Sequence, residues 1–304
     1  MVDSPTDDLP ADDLPADDLP ADDLPADDLP ADDLPADDLP ADDVDDVRPG
    51  RDSSETTAGV ASSESTGSDG FSSATDSPAG IARRLLETIR DDEPPDPFLA
   101  ALAEADAGSL GPLRTERRTA LAFWLNVYNA GTQLLLERRP TLFASRIRFF
   151  RAPSVTVAGV DLSLDDIEHG ILRGGRSKYG LGYLPRLERT GLDGAYRLEP
   201  DPRLHFALNC GAASCPIVRT YDPETVDETL DHATRTYLDE TVEFDADRNR
   251  VRCPRPCLWF IGDFGGRSGL RKFLHRFEQI PPDSSPSLRF VGYDWTKTPR
   301  QFAT

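Results

Sequence analysis

In "RLHFALNCGAASCP", residues 203–216, the side chains able to do chemistry are Arg203, His205, Asn209, Cys210 and Cys215. Two of the chain's four cysteines lie here, just downstream of a histidine. Acyl transfer needs a thiolate, a base within its reach, and an amide or acid that orients the base. "SCP" reads as a cap followed by a turn or helix start, and a thiol at a helix N-terminus is acidified. Cys215 is therefore preferred over Cys210 as nucleophile, with His205 as base and the amides after Cys210 facing an oxyanion. The plain alternative is a strand end with small residues that serve packing only. "CGAASC" and "CPRPC" could also offer four thiolates to zinc, although knuckles with two intervening residues are commoner. Cys257 runs into the apolar "LWF", which suits a core thiol better than a ligand. A Cys253–Cys257 bridge is within reach but out of keeping with a reducing compartment. No metal ligand set and no cofactor is expected.

Side chains elsewhere would serve this chemistry. Asn126, Asn129 and Gln133 are spaced by three and four, so they form one polar stripe on an otherwise apolar helix, flanked by Trp124 and Tyr128. Buried amides need partners. The stripe either pins a neighbouring segment or orients a catalytic group. In "LSLDDIEHGILR", Leu164, Ile167 and Ile171 face the core. Glu168 and His169 are adjacent, about 100° apart around an α-helix, so they are not expected to be core-facing together. His169 then belongs at the surface with Asp165 and Arg173. Glu168 is partly buried and wants a cation such as Arg203. The candidate catalytic residues are thus Cys215, Cys210, His205, Glu168, His169, Asn126 and Asn129. Arg203, Asn209, Tyr128 and Trp124 are the candidate binding residues.

These residues need elements to hold them. "IARRLLETIR" and "DPFLAALAEAD" have amphipathic helical spacing. "RTERRTALAFWLNVYNAGTQLLLERR" contains no proline and predicts the strongest helix. "SVTVAGVDLSL" alternates around a glycine turn and predicts a hairpin. Ser163 should cap the next segment, with Asp166 at capping-box spacing. "RLHFALN" predicts a buried strand, on which Arg203, His205 and Asn209 share one face. "DPETVDETLDHATRTYLDE" predicts a helix capped by Asp222. "TVEFD" and "NRVRC" predict a second hairpin, "LWFIGDF" and "GLRKFLHRFEQI" helices, and "SLRFVGYDW" a closing strand. The fold class is α+β: a single domain, residues 80–304, of several helices around a small sheet.

Composition divides the chain. Residues 1–50 hold 19 aspartates, no glutamate and one arginine, with "ADDLP" repeated six times from Ala11 to Pro40. A proline every five residues forbids a helix, and one leucine per unit builds no core. Residues 1–47 are expected to be a disordered acidic tail, a spacer or a weak arm for a basic partner. The Ser/Thr/Gly-rich residues 48–79 are expected to be a disordered linker. From Ala79 onward 31 acidic residues face 31 basic ones, so nothing marks a nucleic-acid surface. No apolar run approaches the roughly 20 residues that span a bilayer, and the first residues lack a signal-peptide pattern. A cytoplasmic location with no membrane or nucleic-acid partner is the expectation.

"AFWLNVYNA", "LSLDDIEHGILR", "RLHFALNCGAASCP", "DFGG" and the closing "YDW" together resemble the family catalogued as domain of unknown function 547, over Thr119 to Trp295. By fold-level analogy alone, the chain also distantly resembles papain-like or transglutaminase-like folds, where a Cys–His pair performs acyl transfer. Here His205 precedes both cysteines, so only a permuted arrangement matches that pattern. Two functions are expected. One is a cysteine hydrolase or acyl transferase for an amide or thioester bond in a peptide or small amide-containing substrate. The other is a non-catalytic peptide- or protein-binding module whose groove is the polar strand face and the amide stripe.

Overall fold

The computed structural model describes residues 77–106, 108–187 and 194–303, within the unit Ser65–Thr304. The tail and all but the last residues of the linker lie outside the described residues. Helix α1 (Pro78–Arg90) starts two residues inside the expected linker. Ser77 caps it, its Oγ accepting from the Gly80 amide at 3.1 Å, with proline in the first turn. Short helices α2 (Asp96–Ala103) and α3 (Pro112–Thr115) lead into α4 (Arg117–Arg138). Every residue of α4 from Ala120 to Leu136 is buried, as expected of a helix apolar nearly all round. It forms the axis of the larger core, against Leu85 and Leu86 of α1.

After α5 (Arg146–Arg151), strands β1 (Pro153–Val157) and β2 (Val160–Ser163) form the predicted antiparallel hairpin. Ala158 and Gly159 turn it, both at positive φ (51° and 73°), which matches the twist of the strands. The capping box that follows is complete. The Asp166 amide donates to Ser163 Oγ at 3.2 Å, and the Ser163 amide donates to Asp166 Oδ2 at 3.1 Å. What it opens is not an α-helix. Residues Asp166–Leu172 wind as a π-helix, in which the Arg173 amide reaches back five residues to the Glu168 carbonyl at 2.8 Å. This wider turn overturns the expected division of Glu168 from His169: both are buried.

The predicted strand at 203–209 is also corrected. Residues Pro202–Phe206 form a 3-10 helix begun by Asp201, whose Oδ1 accepts from the Arg203 amide at 3.1 Å. Leu204 enters the core around α4, and Phe206 enters a second core. The alternation of "RLHF" thus reflects two cores rather than two faces of a strand, and the polar strand face does not exist. His205 lies at the seam between the cores.

The second core is built from α6 (Val226–Thr241), a three-stranded sheet, α7 (Pro256–Trp259) and α8 (Gly266–Arg276). Asp222 does not cap α6. Its Oδ1 accepts from the Glu224 amide at 2.9 Å in a preceding turn. In the sheet β3 (Glu243–Asp245) pairs antiparallel with β4 (Arg250–Cys253), as predicted, and β4 pairs parallel with β5 (Ser287–Phe290). "LWFIGDF" is only partly helical. The chain leaves α7 at Phe260 because a second segment crosses at Gly262, where a Cβ would lie 2.8 Å from the Gly182 carbonyl carbon. Beyond β5 the chain straps the loop at 211–218. The Ala213 amide donates to the Thr296 carbonyl and the Thr298 amide to Gly211, both at 2.8 Å. No helix among the described residues is long and apolar enough to cross a membrane.

Candidate functional site

The turn after α7 places one carboxylate, Asp263, where the two cores meet. Its side chain is almost wholly enclosed and is held from three sides. Arg173, at the end of the π-helix, donates through Nε to Oδ2 at 2.6 Å and through Nη2 to Oδ1 at 3.2 Å. Arg176 Nη1 donates to Oδ1 at 2.9 Å, and His205 Nε2 lies 3.0 Å from Oδ2. Burial pushes Asp263 up, but the bonds from His205 and Arg173 outweigh it and hold the carboxyl below the usual range. Phe260 is the floor. The His205 ring stacks on it at 4.4 Å with 5° between planes, and the Arg173 guanidinium lies 4.2 Å from its centroid.

These bonds fix both imidazoles. An ionised carboxylate only accepts, so His205 carries its proton on Nε2 and keeps a lone pair on Nδ1. Burial lowers its pKa and outweighs the opposing pull of Asp263. Arg173 Nη1 lies 2.8 Å from His169 Nδ1, and a guanidinium only donates, so that nitrogen accepts and the ring is neutral. Burial, then Arg173, push His169 well below the ordinary histidine range. The expected surface position of His169 is corrected accordingly, because the π-helix turns it inward onto Arg173.

Glu168 is buried beside them. Its partner is not Arg203: Tyr128 OH donates to Oε2 at 3.1 Å. Burial raises the carboxyl to about 7, against the pull of Arg173 and Tyr128. Unfolded, the group titrates near about 4.3. The folded state therefore holds a proton that the unfolded state releases, and this contribution is lost as pH rises toward 7. Glu168→Gln keeps an acceptor for Tyr128 and has no charge to bury. Urea unfolding at pH 8 should show the variant gaining roughly 2–3 kcal/mol on the parent, relative to the same comparison at pH 4.5. The two histidines titrate alike in both proteins and cancel.

The amide stripe of α4 pins main chain. Asn126 Nδ2 donates to the Tyr221 carbonyl at 2.7 Å, and its Oδ1 accepts from the Tyr221 amide at 2.9 Å. Asn129 does the same to the Ala207 carbonyl (3.1 Å) and the Asn209 amide (3.0 Å). Gln133 Oε1 accepts from the Arg300 amide at 2.9 Å. Asn126 and Asn129 thus have their amides committed to peptide groups rather than to an imidazole. Asn209 closes the next turn, with Oδ1 accepting from the Gly211 amide at 2.8 Å and Nδ2 donating to the Pro216 carbonyl at 2.7 Å. Trp124 is buried edge-on against Phe123 at 4.7 Å. Arg203 turns away from the site to Asp201, Asp227 and Asp231 at 2.6–2.8 Å.

Cys210 and Cys215 are bonded to each other, where the spacing points to a thiolate nucleophile at one of them. In this form neither is a thiolate, and the His205 hydrogen bond goes to Asp263, not to sulfur. Tyr293 OH lies 3.3 Å from Cys210 Sγ and 3.1 Å from Cys215 Sγ. Cys253 and Cys257 are free thiols in the second core, and burial pushes Cys253 up to about 12. The four-cysteine zinc alternative has no geometry behind it. No group of three or more His, Cys, Asp or Glu side chains that could hold a metal occurs among the described residues. The side chains that sequence reasoning missed are Asp263, Phe260, Arg173 and Tyr293. Asp263 and Tyr293 stand in the "DFGG" and "YDW" motifs, and Arg173 follows His169 by one helical turn.

No curated protein and no solved structure matches the chain. A family model, described as protein of unknown function, DUF547, matches residues 112–238. Asp263 and Tyr293 lie beyond that stretch. Inside it are α4 with its amide clamps, the capping box, the π-helix, His205 and the bridged cysteines, and over that stretch the chain is similar to the DUF547 family.

Proposed function

We propose that the domain is an acid–base hydrolase or acyl transferase for amide or thioester bonds, with His205 as its base. The observation that carries this reading is the buried His205–Asp263 pair. With Nε2–H bonded to a carboxylate, Nδ1 is the basic atom of a ring that is neutral near pH 7, the state a general base needs. Glu168, near 7, is a second group able to give and take a proton. A carboxylate-oriented imidazole is one half of a papain-like mechanism. The other half would be the thiolate of Cys215 or Cys210 once their bond is opened, which a cytoplasmic location would favour. The substrate class is a peptide or a small amide-containing molecule, with no part for nucleic acid or membrane.

The test uses reduced full-length protein with fluorogenic acyl-coumarin amides and acyl thioesters. Turnover that falls at least about 100-fold in His205→Gln, in a variant still folded by circular dichroism at the assay temperature, is expected. Equal turnover in parent and variant, or none by the parent on either substrate class, removes the reading.

A further inference from the structure

We propose that Cys210 and Cys215 are a thiol–disulfide exchange site for a low-molecular-weight thiol, in which Cys210 is the sulfur attacked and Cys215 the leaving thiolate. This does not require His205 and stands apart from the hydrolase reading. The two sulfurs are not equivalent. Cys210 is half-buried, whereas Cys215 is buried. Residue exposure therefore favours Cys210 as the sulfur attacked. Cys215 Sγ accepts from the Cys210 amide at 3.0 Å and lies 3.1 Å from Tyr293 OH. A disulfide sulfur carries no proton, so the tyrosine is the donor. Burial raises the Tyr293 pKa, which keeps that donor protonated. Among the described residues, Cys210 Sγ has only the tyrosine, at 3.3 Å. Negative charge that develops as the bond breaks is therefore better stabilised on Cys215.

The loop between them is built to keep its shape when the bond opens. Gly211 sits at φ 84°, where a Cβ would lie 2.5 Å from Leu136 Cδ1. Asn209 bonds the amide of Gly211, and Asn129 bonds the amide of Asn209. On the other side, the Ser214 amide donates to the Asp294 carbonyl at 3.2 Å, and the Asp294 amide donates to Ser214 Oγ at 2.8 Å. The Cα atoms, 6.2 Å apart, are held by contacts that do not involve sulfur, so the pair can reclose.

In the first step a thiolate bonds to Cys210 Sγ as the protein disulfide breaks, and the electron pair leaves on Cys215. A second thiolate then takes the first sulfur off Cys210. Two small thiols are oxidised to one small disulfide while the protein disulfide becomes two thiols. The small disulfide drives the reverse.

The intact chain, equilibrated in mixtures of glutathione and glutathione disulfide, is alkylated and mapped by mass spectrometry. The pair should open and reclose fully across the mixtures, with Cys253 and Cys257 unlabelled in native protein. Cys215→Ser should accumulate glutathione on Cys210. Tyr293→Phe keeps the ring and removes only the hydroxyl, and it should slow opening roughly tenfold. A pair that stays closed in glutathione alone, or never closes in glutathione disulfide, overturns the proposal. So does an opening rate that Tyr293→Phe leaves unchanged.

Discussion

Asp263→Ala is expected to destabilise the domain by about 3–5 kcal/mol in urea unfolding at pH 7. The carboxylate is the only anion that hydrogen-bonds the Arg173 side chain among the described residues, and that side chain is 1% exposed. Its removal strands a guanidinium in a site with little water and takes the Nε2 acceptor from His205. Much of the loss is the cost of an uncompensated buried charge, so it should be non-additive. Arg173→Met alone should also be costly, yet the double variant Asp263→Ala with Arg173→Met should be less destabilised than the two singles summed, by at least about 1 kcal/mol. Additive losses would mean that the pair is not coupled.

Asn129→Ala should cost roughly 2–5 kcal/mol, although alanine is the better helix former. The amide satisfies one carbonyl and one N–H of the 207–209 segment, both buried. Both groups lose their partner at once, at about 1–3 kcal/mol each. Hydrogen exchange locates the damage. The Asn209 amide should lose protection, while the Tyr221 amide, held by Asn126, should keep it. Loss of protection at both would mean that α4 itself had come loose.

Much of the scaffold was legible in the sequence, for physical reasons that can be named. α4 has no proline and, apart from its amide stripe, is apolar nearly all round from Ala120 to Leu136, which marks a buried helix. The capping box is a local bond between residues three apart, and the hairpins carry their own turn chemistry. The errors arose where tertiary demands imitate a local pattern. Leu204 and Phe206 alternate because two cores take one each. The contrary signal was present: Asp201-Pro202 is a cap followed by a first-turn proline. The π-helix could not be read, since its one changed turn leaves the residue pattern of an α-helix intact. Asp263 lies 58 positions from His205, and no spacing rule connects them. Residue type alone drew attention to the cysteines, yet their bond to each other depends on how the strap and the amide clamps fold the loop.

The clamps have a consequence for how such a domain can change over generations. Asn126 and Asn129 recognise peptide groups, and every residue except proline presents the same N–H and C=O. The clamps are therefore blind to which side chain stands at 207, 209 or 221, provided the backbone keeps its course. Side chains on the loop beyond, the cysteines included, can then be exchanged while Asn209 and Gly211 hold its turn. A scaffold that grips by main chain leaves its chemistry free to drift.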